Sequence, residues 1–345
     1  MDDQILISVI MPALNEEKKI INALTSIRNQ TIDKNKIEIL VIDGGSNDNT
    51  IKIAKNFEAK IINNIKIVPE EAKLLGIQNA AGKYIVFMDA DEELTDEDQL
   101  NKRIKMFQDN PEVKAILVDG YNTPKGYSGL TRYTNSFGDP FSFFIYRLDN
   151  ENLSNSLKKR NYKVNHLNDR ILFYTQNNII PIGDGGTTMI DLEYAKLKIN
   201  NLFTDISIAT TIFHKVVEIS GCFGIIKEDR INHYTTISFG TLIRKIQFRV
   251  LNNLTPKENM CGFTTRADRD KKLNSRKYLF VLYCLLPPIV LLDTIIISFN
   301  KKCFAFLFHI VFVYYTIFQI LFFGFLKITG KFNVLNKLSR NYPNR

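Results

Sequence analysis

The sequence predicts an α/β domain with a mostly parallel sheet, followed by a C-terminal amphipathic helix and two transmembrane helices. Three observations support this fold class. Apolar, β-prone runs alternate with segments of helical periodicity in the N-terminal part, and polar clusters follow three of those runs. Two long apolar segments with few charges come near the C terminus. Strands that alternate with helices form parallel sheets with right-handed crossovers.

Composition narrows the class of protein. The chain has 345 residues and a formal net charge of +9, which suits one large domain with an appendage, or two domains. A basic excess indicates an anionic partner, either nucleic acid or an anionic lipid surface. Because the basic residues gather beside the apolar C-terminal segments, we expect lipid headgroups and no nucleic acid.

The cysteines and the N terminus bear on the compartment. The cysteines show no C-x-x-C or metal spacing, so we interpret them as unpaired thiols in a reducing compartment; they are Cys222, Cys261, Cys284 and Cys303. The first residues carry no basic stretch, and the first apolar run is too short for a signal peptide. We therefore expect the N-terminal domain to stay cytoplasmic.

Three predicted strands each end at a polar cluster. Residues 5–11, 37–42 and 84–88 are apolar and β-prone, and helical periodicity separates them. The clusters occupy residues 12–16, 43–50 and 89–93. In parallel sheets ligands bind outside the carboxyl ends of the strands. The agreement of three separate segments therefore predicts a ligand site at this edge.

The acidic cluster after residues 84–88 predicts a cation site. Residues two apart in an extended segment point to the same side, so Asp89 and Asp91 can face one point. Mg²⁺ takes one or two protein carboxylates and leaves its other positions to water and phosphate. The alternative is a solvated acidic loop that caps the next helix, and the Asp-Ala-Asp triplet by itself does not separate the two.

The other clusters have both ligand-binding and local interpretations. Asp43 can accept hydrogen bonds from a base or ribose, and the glycines after it permit close approach of a ligand, yet this composition also suits an ordinary loop. Asn15 and Glu16 can hold a nucleoside, or Asn15 can simply cap a helix. Lys73 is a candidate for a diphosphate contact, although a helical lysine is commonly only solvated.

Residues 7–17, 39–50 and 76–91 together resemble family 2 glycosyltransferases in their order and spacing. The resemblance implies a GT-A fold, a nucleotide-sugar donor, Mg²⁺ or Mn²⁺, and transfer with inversion. It also implies site residues. The nucleoside pocket corresponds to Pro12, Asn15, Glu16 and Asp43; Asp89 lies near the ribose or the metal, Asp91 is the metal ligand, and Lys73 stands where the family often has arginine.

The acceptor side carries candidates for a catalytic base. Residues 179–190 resemble the family's glycine-bearing strand and contain Asp184. Asp205 stands where the family has an acidic pair, with Thr204 in the other position. One carboxylate is needed to deprotonate an acceptor hydroxyl. Both aspartates remain candidates, and a turn or helix cap is the structural alternative for each.

Two further features bear on the predicted activity: His233 at the end of the predicted domain, and the lack of tryptophan in the chain. By resemblance His233 closes the terminal strand, where it can be a third metal ligand or contact the diphosphate; a structural role is the alternative. The chain has no tryptophan, so it lacks the Gln-x-x-Arg-Trp motif of processive synthases. We therefore expect a single sugar addition.

The C-terminal third predicts membrane attachment. Residues 241–254 have an apolar side and fit an interfacial helix, or a helix packed on the domain. Residues 278–299 and 303–326 are each long enough to cross a bilayer, which takes about 20 residues, and basic flanks place both ends in the cytoplasm. We expect a kink at Pro287-Pro288, and for Asp293 either a partner or a position near the far interface.

These expectations combine into one organisation. We predict a transferase domain over residues 1–235, an interfacial linker over 236–277, a transmembrane hairpin over 278–326 and a basic tail over 327–345. The whole would be a multi-pass membrane protein with its catalytic domain in the cytoplasm. It would add one sugar from a UDP- or GDP-sugar to a polyprenyl-linked saccharide.

Three other functions remain open. The acceptor can be a polyprenyl phosphate itself, which would make the protein a polyprenyl-phosphate monosaccharide synthase. The protein can instead be a non-catalytic membrane scaffold, which the intact Asp89 and Asp91 argue against. A nucleotidyltransferase would carry a glycine-rich, basic phosphate loop early in the chain, whereas residues 12–18 are acidic and lack glycine.

Overall fold

Two units make up the part of the chain that the computed structural model describes, namely residues 4–160, 162–176, 178–183, 186–254 and 271–331. The first unit comprises Met1–Asn122 and Glu151–Tyr234, and the second comprises Thr123–Asn150 and Thr235–Arg345. The segment 123–150 thus leaves the first unit and returns to it.

The first unit contains two sheets. Its strands are β1 (Ile7–Ala13), β2 (Ile37–Asp43), β3 (Lys60–Asn63), β4 (Tyr84–Phe87), β5 (Glu92–Leu94), β6 (Ala115–Leu117), β7 (Gly120–Asn122), β8 (Lys163–Leu167), β9 (Arg170–Tyr174), β10 (Met189–Asp191), β11 (Cys222–Ile226) and β12 (Arg230–His233). Within the described residues, the main sheet has nine strands in the order β3-β2-β1-β4-β10-β6-β11-β9-β8, and a small sheet has the order β5-β12-β7.

The main sheet is mixed, and its N-terminal half is parallel as the sequence predicts. Strands β3, β2, β1 and β4 run parallel to their neighbours. Strand β10 then lies antiparallel between β4 and β6. The buried strand predicted before the acidic cluster is β4, and each of its four residues is buried.

Helices cover the main sheet. The helices of the first unit are α1 (Ile20–Arg28), α2 (Thr50–Asn56), α3 (Pro69–Asn79), α4 (Gln99–Asp109), α7 (Leu153–Lys158), α8 (Leu192–Lys198), α9 (Ile206–Thr210) and α10 (Ile212–Ser220). Helix α3 lies close to β1 at Gly76, where a Cβ atom would be 2.2 Å from Cγ2 of Ile10. Only glycine allows this approach of helix to strand.

A buried ion pair fixes α4 to the strand β12. Nε of Arg103 lies 2.8 Å from Oδ2 of Asp229, and the two side chains are 0% and 3% exposed. A second guanidinium nitrogen donates to Oδ1 of Asp229 at 2.9 Å. The guanidinium also donates to the backbone oxygen of Thr187, a residue held at a φ of 53°. One side chain therefore anchors both the start of β12 and the turn before β10.

The second unit joins two helices from segment 123–150 to the C-terminal helices. Its helices are α5 (Gly129–Phe137), α6 (Pro140–Tyr146), α11 (Phe239–Leu254), α12 (Lys271–Cys284), α13 (Pro287–Lys301) and α14 (His309–Ile328). Tyr133 of α5 is buried against Phe306 and Phe312, and its hydroxyl lies 2.7 Å from Nδ1 of His309. Helices α5 and α6 also bury apolar side chains, among them Phe137 and Ile145.

Asp293 has a charged partner, which is one of the two settings expected from the sequence. Its Oδ2 lies 2.6 Å from Nη1 of Arg147, and the hydroxyl of Tyr283 donates to the same oxygen at 3.0 Å. The guanidinium of Arg147 also lies over the rings of Phe143 and Phe144. The charge of Asp293 is therefore neutralised within an otherwise apolar helix.

The C-terminal apolar segments differ from two straight spans. Among the described residues, one helical stretch is long and apolar enough to cross a membrane, Phe304–Ile328, with a mean hydropathy of 2.0. Lys272–Cys284 and Pro287–Lys301 would pass the same test together, but they are bent by 101°. The expected kink thus lies at Pro287, and the predicted pair of transmembrane helices is not confirmed.

Replacement of Arg103 by methionine should destabilise the first unit strongly. It would leave the carboxylate of Asp229 buried without its counter-charge, which costs about 3–5 kcal/mol. Lys102→Met on the same helix is the matched control, because Lys102 and its partner Asp96 are 41% and 48% exposed. Exposed pairs contribute about 0–1 kcal/mol.

The comparison uses urea unfolding of the purified protein, followed by circular dichroism. We expect the free energy of unfolding to fall far more for Arg103→Met than for Lys102→Met. An equal loss of unfolding free energy in the two variants would show that the buried ion pair stabilises the protein no more than the exposed pair does.

Candidate active site

The loops after β1 and β2 are joined to each other by hydrogen bonds. The backbone N–H of Asn15 donates to Oγ of Ser46 at 3.0 Å, and the N–H of Asn47 donates back to Oδ1 of Asn15 at 2.9 Å. The N–H of Glu16 donates to Oγ1 of Thr50 at 2.8 Å. The first two predicted polar clusters therefore form one continuous rim.

Asp43 lies at the point where this rim meets the sheet. It is paired with Ala13 across β1 and β2, and it is 8% exposed. Its Oδ1 accepts from both the N–H and the hydroxyl of Ser46, at 3.0 Å and 2.7 Å. Asp43 thus orders its own loop, as the local interpretation holds, and its carboxylate is fixed at the edge where a ligand is expected.

The structure also gives the positions of the other residues predicted to bind the donor, namely Asn15, Pro12 and Lys73. Asn15 does not cap α1, because the helix starts five residues later and Asn15 has a φ of 56°. Pro12 lies within β1, paired with Ile42. Nζ of Lys73 lies 5.4 Å from the ring centroid of Phe87, so the ammonium group lies over the end of β4.

The acidic cluster forms a tight turn between β4 and β5. The N–H of Asp89 donates to Oε2 of Glu92 at 3.0 Å, and the N–H of Glu92 donates to the backbone oxygen of Asp89 at 3.0 Å. Glu92 is 2% exposed, which is unusual for a carboxylate. The turn is therefore closed by its own third carboxylate, a role that the sequence analysis did not assign to Glu92.

Two basic side chains lie against Asp91. Nζ of Lys19 lies 3.6 Å from Oδ2 of Asp91 and 3.3 Å from Oε2 of Glu16. Nε2 of His233 lies 3.6 Å from Oδ1 of Asp91. The structure thus brings together Asp91, Glu16 and His233, three residues that the sequence analysis names. It adds Lys19, which sequence reasoning missed because one lysine in a helix-start segment carries no signal.

Strand β12 places His233 at the acidic turn. His233 is paired with Glu92, and the N–H of the following Tyr234 donates to the backbone oxygen of Asp91 at 2.7 Å. The ring of Tyr121 lies beside His233, with 5.5 Å between the ring centroids. The neighbouring strands of the small sheet thus hold the imidazole next to the Asp91 carboxylate.

Burial and negative charge shape the protonation of this site. The pKa of Glu92 is raised well above its ordinary value, first by burial and then by the charge of Asp89. Backbone N–H groups of Asp89 and Thr187 partly offset this shift by hydrogen bonding. Thr187 is the residue that Arg103 holds. The buried ion pair of the fold is therefore connected to the acidic turn through Thr187 and Glu92.

Tyr121 is a second residue that sequence reasoning missed. A Cβ atom on Gly186 would lie 2.0 Å from the Tyr121 hydroxyl, so only glycine leaves room for the phenol. The pKa of Tyr121 is raised well above its ordinary value by burial and then by the charges of Glu92 and its acidic neighbours. The hydroxyl stays protonated and can donate a hydrogen bond.

Of the two candidate bases, Asp205 lies among the described residues and Asp184 does not. Asp205 caps α9, because its Oδ1 accepts from the N–H of Ser207 at 2.8 Å and from that of Ile208 at 3.4 Å. The structural alternative for Asp205, a helix cap, is therefore present, and it does not remove the carboxylate from solvent. Asp184 lies outside the described residues.

The acidic turn carries carboxylates that could bind a divalent cation. Within the described ranges, no group of three or more His, Cys, Asp or Glu side chains is arranged to enclose a metal ion. Mg²⁺ in phosphate sites needs only one or two carboxylates. Asp91 already attracts a cation, the Lys19 ammonium. Asp91, with Asp89 and His233 beside it, therefore suits Mg²⁺ or Mn²⁺ with phosphate oxygens as further ligands.

Curated relatives match part of the chain. Glycosyltransferase AglE of Haloferax volcanii is 36% identical over 92 residues, which are 25% of this chain and 30% of that protein. Dolichyl N-acetyl-alpha-D-glucosaminyl phosphate 3-beta-D-2,3-diacetamido-2,3-dideoxy-beta-D-glucuronosyltransferase of Methanococcus voltae is 35% identical over 109 residues, or 30% of this chain and 34% of that protein. The chain thus spans about a third of the length of these relatives.

A solved structure shows the fold of the chain, and a family profile shows its family. S. aureus TarS 1-349 in complex with UDP-GlcNAc superposes with a TM-score of 0.50 at 14% identity, covering 83% of this chain and 79% of that one, which shows a common GT-A-like fold. The profile described as Glycosyl transferase family 2 matches residues 8–196, more than half of the chain. The chain belongs to glycosyl transferase family 2.

Proposed function

We propose that this glycosyltransferase moves one sugar, with inversion, from a UDP- or GDP-sugar to a lipid-linked acceptor at the cytoplasmic face of a membrane. The observation that carries the donor half is the meeting of three strand ends. The loops after β1 and β2 are hydrogen-bonded to each other, and Lys19 connects Glu16 on that rim with Asp91 of the acidic turn.

The rim would bind the nucleoside of the donor, and the acidic turn would bind its diphosphate through a metal ion. The nucleoside would lie against the rim, in a pocket formed by Pro12, Asn15, Glu16 and Asp43. The diphosphate would lie toward Lys73 and Lys19, whose ammonium groups supply positive charge. A Mg²⁺ or Mn²⁺ ion held by Asp91, with Asp89 and His233 beside it, would neutralise the charge of the departing diphosphate.

The acceptor hydroxyl needs a base unless the acceptor is already a phosphate. We propose Asp205 for this role and retain Asp184 as its rival. One oxygen of Asp205 accepts hydrogen bonds from the first turn of α9, and these hold the carboxylate in one orientation. As a general base it would also have to lie within hydrogen-bond reach of the acceptor hydroxyl.

A membrane-bound acceptor explains the second unit. Its C-terminal helices expose many large apolar side chains, and a helical stretch in it is apolar enough to enter a bilayer. The name of the Methanococcus voltae relative contains a dolichyl-phosphate-linked sugar as acceptor. A polyprenyl-linked saccharide or a polyprenyl phosphate would reach such a surface, and the product would feed cell-surface glycan assembly. The mass of the labelled lipid distinguishes the saccharide transferase from the polyprenyl-phosphate synthase.

Asp91→Asn should strongly reduce metal-dependent use of the donor. We expect kcat/KM to fall roughly 100-fold or more, because charge stabilisation by a metal ion contributes several kcal/mol. Glu97→Gln is the matched control, since Glu97 is an exposed carboxylate near the same turn.

The measurement is transfer of radiolabelled sugar from a panel of UDP- and GDP-sugars into a membrane lipid extract, with Mn²⁺ and then with chelator. Wild-type activity in Asp91→Asn would refute the assignment of this residue. If wild type uses no donor and binds no nucleotide in a metal-dependent way, the non-catalytic scaffold remains.

Asp205→Asn should distinguish the proposed role of Asp205 as a general base from its role as a helix cap. Asparagine caps helices about as well as aspartate does, so the stability of the protein should change little. An amide cannot take a proton, so kcat should fall about 10²–10⁴-fold while donor affinity stays the same. Thermal unfolding and nucleotide titration run beside the transfer assay test the two halves. If kcat survives in Asp205→Asn and is lost in Asp184→Asn, the base is Asp184.

A further inference from the structure

We propose that the turn at residues 300–303 lies on the same side of the membrane as residues 147–150, after which the chain enters the transferase unit, so that α12 and α13 enter one leaflet and return. This proposal rests on the membrane attachment in the proposed function. It replaces the transmembrane hairpin that the sequence predicts, in which this turn would face the opposite side.

The bilayer is the partner that the surface of α12 and α13 fits. Both helices present a nearly continuous apolar surface to solvent; the side chains include Tyr278, Leu279, Leu282, Leu285, Leu292, Ile295, Ile296 and Phe299, with exposed fractions from 48% to 83%. Soluble proteins seldom expose apolar patches of this extent. The one carboxylate within this stretch, Asp293, is paired with Arg147. An uncharged apolar surface with its acid neutralised suits acyl chains.

The bend excludes a straight crossing. Helix α12 has 14 residues and α13 has 15, so each is roughly 21–22 Å long at 1.5 Å per residue. The hydrocarbon core is about 30 Å thick. Because the two helices are bent by 101°, α13 adds no depth along the axis of α12. Together they reach into a bilayer but do not traverse it.

The end of α13 is tied to a residue next to the transferase unit along the chain. Nζ of Lys301 lies 2.6 Å from Oδ1 of Asp149, and the backbone oxygen of Lys301 accepts from Nη1 of Arg132 at 3.0 Å. The transferase unit resumes at Glu151. Two residues span at most about 7 Å. A turn on the far side of a bilayer would be several times farther from residue 151.

The middle of α13 is held by the same short segment. Asp293 pairs with Arg147 at 2.6 Å, two residues before Asp149 along the chain. Both the middle and the end of α13 therefore contact residues 147–149. A helix that crosses the membrane would carry these two points to different depths. Because both contacts reach residues 147–149, the C-terminal half of α13 stays on the side of the membrane where that segment lies.

Single-cysteine labelling tests this topology. The background replaces the four native cysteines and must retain the circular dichroism spectrum and the thermal unfolding temperature of the wild-type protein. Three variants follow: Asn300→Cys in the turn, Lys198→Cys on the exposed surface of α8 as the transferase-side reference, and Leu292→Cys on the apolar surface as the lipid reference. A membrane-impermeant maleimide is applied to sealed vesicles of each orientation.

We expect Asn300→Cys to be labelled in the same orientation as Lys198→Cys, and Leu292→Cys to be labelled in neither. Labelling of Asn300→Cys only in the opposite orientation would establish the transmembrane hairpin and overturn the proposal. Labelling of Leu292→Cys together with Lys198→Cys would show that no lipid covers this surface, which also overturns it.

Two further variants test the contact on which the inference depends. Asp149→Lys and Lys301→Asp should each lower the thermal unfolding temperature, and the double variant should recover most of the loss. Losses that simply add would show that the pair does not hold the turn. Labelling reads topology without requiring sugar transfer, so a protein with the expected labelling and no transfer would refute the proposed function alone.

Discussion

Parallel pairing of β1 with both β2 and β4 is the constraint on which the site depends. The register places Ala13 beside Asp43 and Ile10 beside Phe87, so the three strands end at the same edge of the sheet. Loops that are far apart in sequence must then share a small volume. The first two loops are hydrogen-bonded to each other. The ammonium group of Lys19 connects them to Asp91 in the acidic turn.

Concentrating carboxylates at one edge has an electrostatic cost that the surrounding structure offsets. Glu92 is buried beside Asp89 and is held by backbone N–H groups, while Lys19 and His233 lie against Asp91. The position of Thr187, which supplies one of those N–H groups, depends on Arg103. The buried ion pair of Arg103 and Asp229 thus supports the position of Glu92 in the acidic turn.

Local patterns predicted the parallel half of the sheet and the clusters at its edge, because apolar runs and strand-end polar residues are short-range signals. The ion pair of Arg103 with Asp229, the antiparallel strand β10 and the contact of Lys19 with Asp91 join residues distant in sequence, and no local pattern encodes them. The apolar C-terminal runs were visible, but the 101° bend between two of their helices depends on packing that periodicity does not describe.

The central claim is that a divalent cation binds at Asp91 together with the diphosphate of the donor. Anomalous diffraction at the manganese edge, from crystals grown with Mn²⁺ and UDP or GDP, tests it most directly. We expect one strong peak about 2.1 Å from a carboxylate oxygen of Asp91 and in contact with diphosphate oxygens. A nucleotide bound at this edge with manganese elsewhere, or with none, would contradict the claim.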